Sequence, residues 1–430
     1  QGESFNAEKA LAMGVVNELA PSSETEAKAT AWVKANPTAK APWDVKGFKV
    51  PGGVPHRSPG AGQVMTMANA MLHAKTNGNY PAQLNILSCI YEGIMVPIDA
   101  GLRIETRYFI NTQQRPEAKA MIRSLFLSTQ ALSKGANRPA GVPKYELNKV
   151  AVIGAGLMGA GIAYEQARAG IETILVDVSV ENAEKGKDYS RKLVEKNVSR
   201  GKMTKEKGEA LLALIKPTAN YDDFKGADLV VEAVFENPEL KAKITQMAEA
   251  QLSDTAVMGS NTSTLPITGL AEASVRPANF IGIHFFSPVE RMGLVEIISG
   301  KETSEETLAK TIDYVLKIRK TPIVVNDSRG FYTSRCFGTY TQEGLEMLGE
   351  GIKPAIIENV GRQSGMPMGP LEVSDSVGLD TALKVGRQMA QAMGVDYTND
   401  ARGQMMAWLV EDQGRVGRKA GKGFYDYNEK

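Results

Sequence analysis

The stretch Val150-Ala151-Val152-Ile153-Gly154-Ala155-Gly156-Leu157-Met158-Gly159 confines the middle of this chain to one local structure: an apolar strand, a glycine-rich turn and the start of a helix. Gly154 permits the tight turn, Gly156 puts no Cβ in the path of a diphosphate, and Gly159 lets the helix pack closely on its strand. The helix start at Leu157 and Met158 presents free N–H groups to phosphate oxygens. A second strand, Thr173-Ile174-Leu175-Val176, ends at Asp177, about 20 residues beyond the first glycine, where a carboxylate accepts both hydroxyls of a ribose. The same acid repels a 2′-phosphate, and Val178-Ser179-Val180 supplies no arginine to hold one. The pattern therefore predicts NAD rather than NADP.

A chain of 430 residues is long enough for two to four domains at roughly 100 to 200 residues each. With 50 basic and 49 acidic residues there is no global field to recruit nucleic acid or an anionic membrane. Cys89 and Cys336 lie far apart, in neither a C-x-x-C nor a Cys/His cluster, so neither a metal site nor a disulfide framework is expected and a reducing, cytoplasmic setting fits. No apolar run approaches the ~20 residues of a membrane span, and the beginning lacks the order of a signal peptide. The first residue is Gln, and the opening residues read like the interior of something longer.

Residues 1–20 read as a short helical piece, Ala7 to Gly14, followed by a strand signal at Val15-Val16. A second helix runs to about Asn36, and prolines and glycines then punctuate a linker as far as Gly62. From about 61 to 135 apolar residues such as Leu87, Ile90, Tyr91 and Ile94 recur at helical spacing, predicting three or four helices. Gly135 to Pro143 reads as a second linker. Between 149 and 326 the runs Val150–Ile153, Thr173–Val176, Leu229–Val231, Ala256–Met258, Phe280–Ile283, Leu294–Ile298 and Ile323–Val325 alternate with helical patterns, which predicts βαβ units and a mostly parallel, doubly wound sheet. After Asp327 the strand signals stop, and 328–430 reads as an all-α domain.

Of the three histidines, His56, His73 and His284, placement singles out His284, at the C-terminal end of the strand Phe280-Ile281-Gly282-Ile283. That end is where open α/β sheets bind ligands. The following strand, Leu294-Val295-Glu296-Ile297-Ile298, carries a lone carboxylate among branched apolar side chains, costly to bury without a partner. An imidazole is a suitable one, because the carboxylate fixes its tautomer and raises its basicity for accepting an alcohol proton. The residues alone equally allow a structural histidine bonded to backbone and a glutamate facing solvent.

A set of motifs decides between these. Besides the glycine turn they are Val231-Glu232-Ala233-Val234-Phe235-Glu236-Asn237, Ser260-Asn261-Thr262-Ser263, His284-Phe285-Phe286-Ser287-Pro288, Leu294-Val295-Glu296, Pro367-Met368-Gly369-Pro370, Asp375-x-Val377-Gly378-Leu379-Asp380 and Gly421-Lys422-Gly423-Phe424-Tyr425. Through them residues 147–430 resemble the L-3-hydroxyacyl-CoA dehydrogenase family, and the whole chain resembles the later part of the multifunctional α-subunit of the fatty acid β-oxidation complex. The resemblance implies a Rossmann-type doubly wound NAD-binding domain at 147–327 and an all-α, 6-phosphogluconate-dehydrogenase-like domain at 328–430. These follow a helical linker region at 21–146 and the C-terminal remnant of a crotonase (enoyl-CoA hydratase) domain at 1–20, in a chain cut at both ends.

The implied activity is NAD-dependent oxidation of an L-3-hydroxyacyl-CoA to the 3-oxoacyl-CoA. The family's catalytic pair falls on His284 and Glu296, its substrate-contacting serine on Ser263, and its NAD contacts on Asp177, Glu236 and Lys241 beside Gly154, Gly156, Leu157, Met158 and Gly159. Two positions depart from the family pattern. Ser287 stands where an asparagine is usual, as a cofactor contact, and Ser334 stands at a second active-site asparagine in Gly330-Phe331-Tyr332-Thr333-Ser334-Arg335. A serine is shorter and offers one donor instead of two. The region from Asp177 to Pro217 resembles the helical hairpin that covers CoA; its Lys192, Arg200, Lys202 and Lys205 are either partners for CoA phosphates or a solvated charged face.

Three further expectations follow. A remnant without the hydratase acids does not hydrate enoyl-CoA. A thiolase subunit is the partner to expect in the full complex. Met366, Met368, Leu371, Leu379, Leu383, Met389 and Met393 leave an apolar face that a homodimer through 328–430 would cover, unless the helices at 61–135 do so. The competing readings are an NAD-binding scaffold with little turnover, which the two serines favour, and one part of a bifunctional hydratase/dehydrogenase whose hydratase half is missing here.

Overall fold

The computed structural model describes residues 5–428, so Gln1 to Ser4 of the expected remnant lie outside the described residues. In chain order the first helices are α1 (Ala7–Ala12), α2 (Thr25–Ala35), α3 (Pro59–Thr76), α4 (Pro81–Gly93), α5 (Ile98–Gln114) and α6 (Pro116–Met121). A π-helical turn at Ile122–Ser128 and α7 (Thr129–Ser133) follow. Then come β1 (Lys149–Ile153), α8 (Leu157–Arg168), β2 (Glu172–Val176), α9 (Val180–Ser199), α10 (Lys205–Ala213), β3 (Ile215–Thr218), β4 (Leu229–Glu232), α11 (Pro238–Glu249) and β5 (Val257–Ser260). The sheet is completed by β6 (Phe280–Phe285), β7 (Leu294–Ser299) and β8 (Thr321–Val325), with α12 (Ile267–Ala271) before β6 and α13 (Glu305–Lys317) before β8. The last helices are α14 (Thr333–Gly349), α15 (Pro354–Gln363), α16 (Pro370–Val377), α17 (Leu379–Ala392) and α18 (Ala401–Ala407).

These elements form two compact units, residues 1–123 with 355–369, and residues 124–354 with 370–430. The first unit is helical and thinly packed: of α3, α4 and α5 only Leu72 is buried. Val15 and Val16 form no strand. Gly14, at φ +72°, ends α1, and the Val15 amide returns to the Ala10 carbonyl as a helix stop, so the β-branched pair is spent on a turn.

The second unit holds an eight-stranded sheet in the order β3-β2-β1-β4-β5-β6-β7-β8. Every neighbouring pair is parallel except β6 and β7. Val150 and Val152 of β1 pack to one face with Leu175, Val231 and Ile283, while Ala151 and Ile153 pack to the other with Val230, Met258 and Phe280. Both faces are covered, which is why these strands read as unbroken apolar runs rather than alternating ones. Each of these buried valine, leucine, isoleucine, methionine and phenylalanine side chains stabilises the fold by about 1.5–3 kcal/mol.

The sequence pattern misses one strand, β3, because Pro217 interrupts the run Ile-Lys-Pro-Thr. The strand is tolerated because β3 lies at the edge and pairs only with β2, leaving the proline no ladder bond to break. The segment expected to be a linker at Gly135 to Pro143 is tied down instead. Arg138 makes a two-point ion pair with Asp313 of α13 at 2.8 and 2.9 Å and also donates to the carbonyls of Val142 and Pro143. One further expectation is corrected here: Leu371, Leu379 and Leu383 are buried in the core of the helical region, whereas Met366 and Met393 are exposed. The amphipathic spacing marks a face without saying whether this same chain already covers it.

Candidate active site

At the C-terminal edge of the sheet the strand ends bring the expected residues together. Gly154 adopts φ +96°, and a Cβ there would lie 2.8 Å from the Ala233 carbonyl oxygen. A Cβ on Gly159 would run into the Gly154 carbonyl oxygen, so α8 meets its strand more closely than any larger residue permits. At Gly156, the N-cap of α8, a Cβ would meet nothing within 4 Å. Open space therefore faces the free amides of the helix start. Asp177 overhangs this turn from the end of β2: its Oδ2 accepts from the Ala155 amide at 2.7 Å, and its Oδ1 from the Val178 amide at 2.8 Å and Asn182 Nδ2 at 3.3 Å. A glycine turn with no Cβ to fill it and an acid at its rim fits a dinucleotide. Leu157 is exposed beside it and Met158 packs partly into the core.

Next along the sheet, Glu232 ends β4 with 1% exposure. Lys241 Nζ of α11 pairs with both its oxygens at 2.8 and 2.9 Å, and Ser260 donates to it from β5. Lys241 also lies 3.6 Å from Glu236, so it is enclosed between two acids and its side chain is 2% exposed. Glu236 in turn accepts from Thr262 Oγ1 and from both the amide and the hydroxyl of Ser263, at 2.6 and 2.9 Å. The expected residues Glu236, Lys241 and Ser263 are thus one connected network, with Glu232 as the partner that makes a buried lysine tolerable.

His284 and Glu296 are register partners on β6 and β7, the single antiparallel pair of the sheet. Nδ1 of His284 lies 2.8 Å from Glu296 Oε2. Glu296 is fully buried and accepts three more hydrogen bonds, from the amides of Tyr332 (3.1 Å) and Thr333 (2.8 Å) and from Thr333 Oγ1 (2.9 Å). Burial pushes its carboxyl upward, but the hydrogen bonds from His284 and Thr333 outweigh that and hold it below the usual carboxylate range. It is therefore ionised at neutral pH and fixes the proton of His284 on Nδ1. Phe286 and Phe331 pack against the imidazole with centroids at 4.5 and 5.9 Å. Among the described residues no side chain or backbone group bonds Nε2, which leaves that nitrogen free to accept a proton.

Phe331 stands at φ +48°, a conformation that costs a bulky residue of order 1–3 kcal/mol. The turn it makes points the next two amides at Glu296. Nothing in the local sequence signals that Thr333 and the Tyr332 amide complete this site. Glu232 was findable, as a lone acid ending an apolar strand, by the argument that singled out Glu296. Asn261 was within an expected motif without a role, and its Oδ1 accepts from the Phe285 amide at 2.8 Å, setting the strand end beside His284.

Ser334 lies half-buried in the first turn of α14, and Ser287 is exposed directly after Phe286. Lys192 on α9, with Arg200 and Lys202 just beyond it, is exposed to solvent, as are both of those. Among the described residues no helix is long and apolar enough to cross a membrane, and no group of acids, histidines and cysteines could hold a metal.

Comparison with known proteins bears on the family of the chain. Residues 149–328 match the family described as 3-hydroxyacyl-CoA dehydrogenase, NAD binding domain, and residues 330–427 match its C-terminal domain. The chain is 36% identical over 430 residues to a fatty acid oxidation complex subunit alpha of Shewanella frigidimarina, covering 100% of this chain and 59% of that protein. Against the protein of the same name from Psychrobacter arcticus it is 36% identical over 419 residues, covering 97% and 58%. It therefore spans somewhat more than half the length of these curated relatives. Among solved structures, (S)-3-hydroxybutyryl-CoA dehydrogenase from Ralstonia eutropha superposes with a TM-score of 0.62 at 35% identity, over 66% of this chain and 100% of the other. The 3-hydroxybutyryl-CoA dehydrogenase of Escherichia coli gives 0.62 at 32%, over 66% and 61%. With a doubly wound NAD-binding domain followed by the helical domain, this chain belongs to the 3-hydroxyacyl-CoA dehydrogenase family.

Proposed function

We propose that this chain oxidises L-3-hydroxyacyl-CoA to 3-oxoacyl-CoA, with His284 as the general base and Glu296 as the group that orients it and supports its charge. The observation that carries the reading is the buried His284–Glu296 pair at 2.8 Å with Nε2 left over. NAD, when bound, takes up the hydride that leaves C3 of the substrate. Nε2 accepts the proton of the 3-hydroxyl as the C3–O bond becomes a carbonyl. Glu296, ionised and held by four donors, stabilises the imidazolium that results. Ser263 and Ser334 orient the substrate oxygens, with water completing the shorter reach of Ser334. Asp177, the open side of Gly156 and the first amides of α8 (Leu157, Met158 and Gly159) hold the cofactor, with Ser287 and Glu236 lining its nicotinamide end and Lys241, enclosed between Glu232 and Glu236, acting on the cofactor through Glu236. Lys192, Arg200 and Lys202 meet the CoA phosphates.

In this reading 147–327 is the cofactor domain, 328–430 the helical dehydrogenase domain, 21–146 the linker region and 1–20 a hydratase remnant. The setting is the cytoplasm, in keeping with two free cysteines. The relatives' name, fatty acid oxidation complex subunit alpha, supports a place in a complex, for which a thiolase subunit is the proposed partner, and any homodimer through the helical domain would have to use the exposed Met366 and Met393 rather than the buried leucines. The test of activity is direct. Mixing the purified chain with NAD and a 3-hydroxyacyl-CoA should raise absorbance at the NADH band, and a His284→Gln chain that matches its rate removes the proposed base.

A further inference from the structure

The connection Phe286–Gly293 joins the strand of His284 to the strand of Glu296, so its placement sets the placement of the pair. Its inner side is fixed to the sheet unit. Val289 packs so closely on α8 that a Cβ at Gly161 would lie 2.8 Å from the Val289 Cβ. Lys320, just before β8, donates to the Val289 and Met292 carbonyls at 2.6 and 2.9 Å, and its buried ammonium is neutralised by Glu165 of α8 at 3.3 Å.

The outer side is tied to a different element. Glu290 Oε2 accepts from the Tyr189 hydroxyl of α9 at 2.8 Å, and the Glu290 side chain is only 14% exposed. Burial and the neighbouring carboxylate push the Tyr189 phenol up to about 12, so it stays protonated and donates throughout the neutral range. The helix α9 itself rests on the dinucleotide turn: a Cβ at Gly186 would lie 2.7 Å from the Ala155 Cβ and 2.8 Å from its carbonyl oxygen. Lys192 follows Tyr189 by one helical turn, as a neighbour on the helix surface. One helix thus touches the cofactor turn, carries a cation proposed for CoA phosphate, and grips the connection between the two strands of the pair.

We propose that the Tyr189–Glu290 hydrogen bond couples binding of the nucleotide half of the acyl-CoA on α9 to the placement of His284 and Glu296, which makes Tyr189 a positioning residue. This rests on the reading of α9 as a CoA-binding helix. A substrate whose phosphates engage α9 restrains the helix, and through Tyr189 restrains Glu290 and the connection that bears Ser287. A substrate without those phosphates leaves the tie without effect on the reaction.

The experiment compares Tyr189→Phe with the parent chain on a 3-hydroxyacyl-CoA and on the matching S-acyl pantetheine, which lacks the nucleotide phosphates. The expected result is a loss in kcat/KM of about fivefold or more on the CoA substrate, the lower end of ordinary coupling between sites, with the pantetheine substrate within twofold and KM for NAD unchanged. Glu290→Gln, whose carbonyl still accepts from the phenol, should keep most of the CoA rate, whereas Glu290→Ala should not. Equal losses on both substrates would mean a purely structural bond, and no loss on either would mean no role; each overturns the proposal. A parent chain that treats the two substrates alike overturns it through the α9 reading. A parent chain that forms NADH with neither overturns it together with the dehydrogenase reading.

Discussion

His284 and Glu296 face each other across the one antiparallel pair in an otherwise parallel sheet, 2.8 Å apart between Nδ1 and Oε2. The return of β7 against β6 places the proposed base and its orienting acid side by side at the sheet end that also carries the glycine turn. Because a positioned histidine contributes roughly 100- to 10,000-fold to proton removal, His284→Gln should lower turnover on that scale. Its affinity for NAD, read by protein fluorescence, should match that of the parent. Turnover within twofold of the parent would exclude His284 as the base.

Glu296 predicts a pH dependence of stability with a definite sign. Its carboxyl is held below its ordinary 4.5, so the folded chain binds this proton less readily than the unfolded one and stability rises with pH. The contribution is complete above about 4.5 and is lost as pH falls through the lower folded value. Glu296→Gln removes it, along with hydrogen bonds to a charge worth about 1.5–3 kcal/mol each. Urea midpoints should therefore differ most near neutral pH and converge in acid. A constant difference across the range would contradict the assignment.

Asp177, proposed to hold the ribose, also accepts from the Ala155 amide within the turn. Asp177→Ala should weaken NAD binding and narrow the preference over NADP, while costing about 0.5–1.5 kcal/mol of stability for the lost hydrogen bond. Titration of both cofactors against both chains checks this, and a parent chain that binds them equally well argues against the role.

Gly159 tests the turn by packing alone. A methyl group there meets the Gly154 carbonyl oxygen, and backbone cannot move aside as a side-chain end can, so Gly159→Ala should cost about 1–3 kcal/mol, typical of overpacking, and impair NAD binding. Gly156→Ala, with open space around its Cβ, should leave stability nearly unchanged yet weaken NAD where the methyl meets the diphosphate. Thermal melts with and without NAD separate the two effects.

Seven of the eight strands, the glycine turn with Asp177, and the candidacy of His284 and Glu296 are legible in the residue pattern, because these are local: apolar runs buried on both faces, glycines where no Cβ fits, and a lone acid amid branched side chains. The pattern does not reveal β3, whose Pro217 is acceptable only at an edge, and edges are a property of the assembled sheet. Nor could it show that Lys241 is spent on Glu232, that Thr333 and the Tyr332 amide hold Glu296, or that Leu371, Leu379 and Leu383 are already covered. Each of those depends on which surfaces meet after the chain has folded back on itself. Helical or strand spacing fixes the direction of a side chain about its own element, and only tertiary packing decides what waits there.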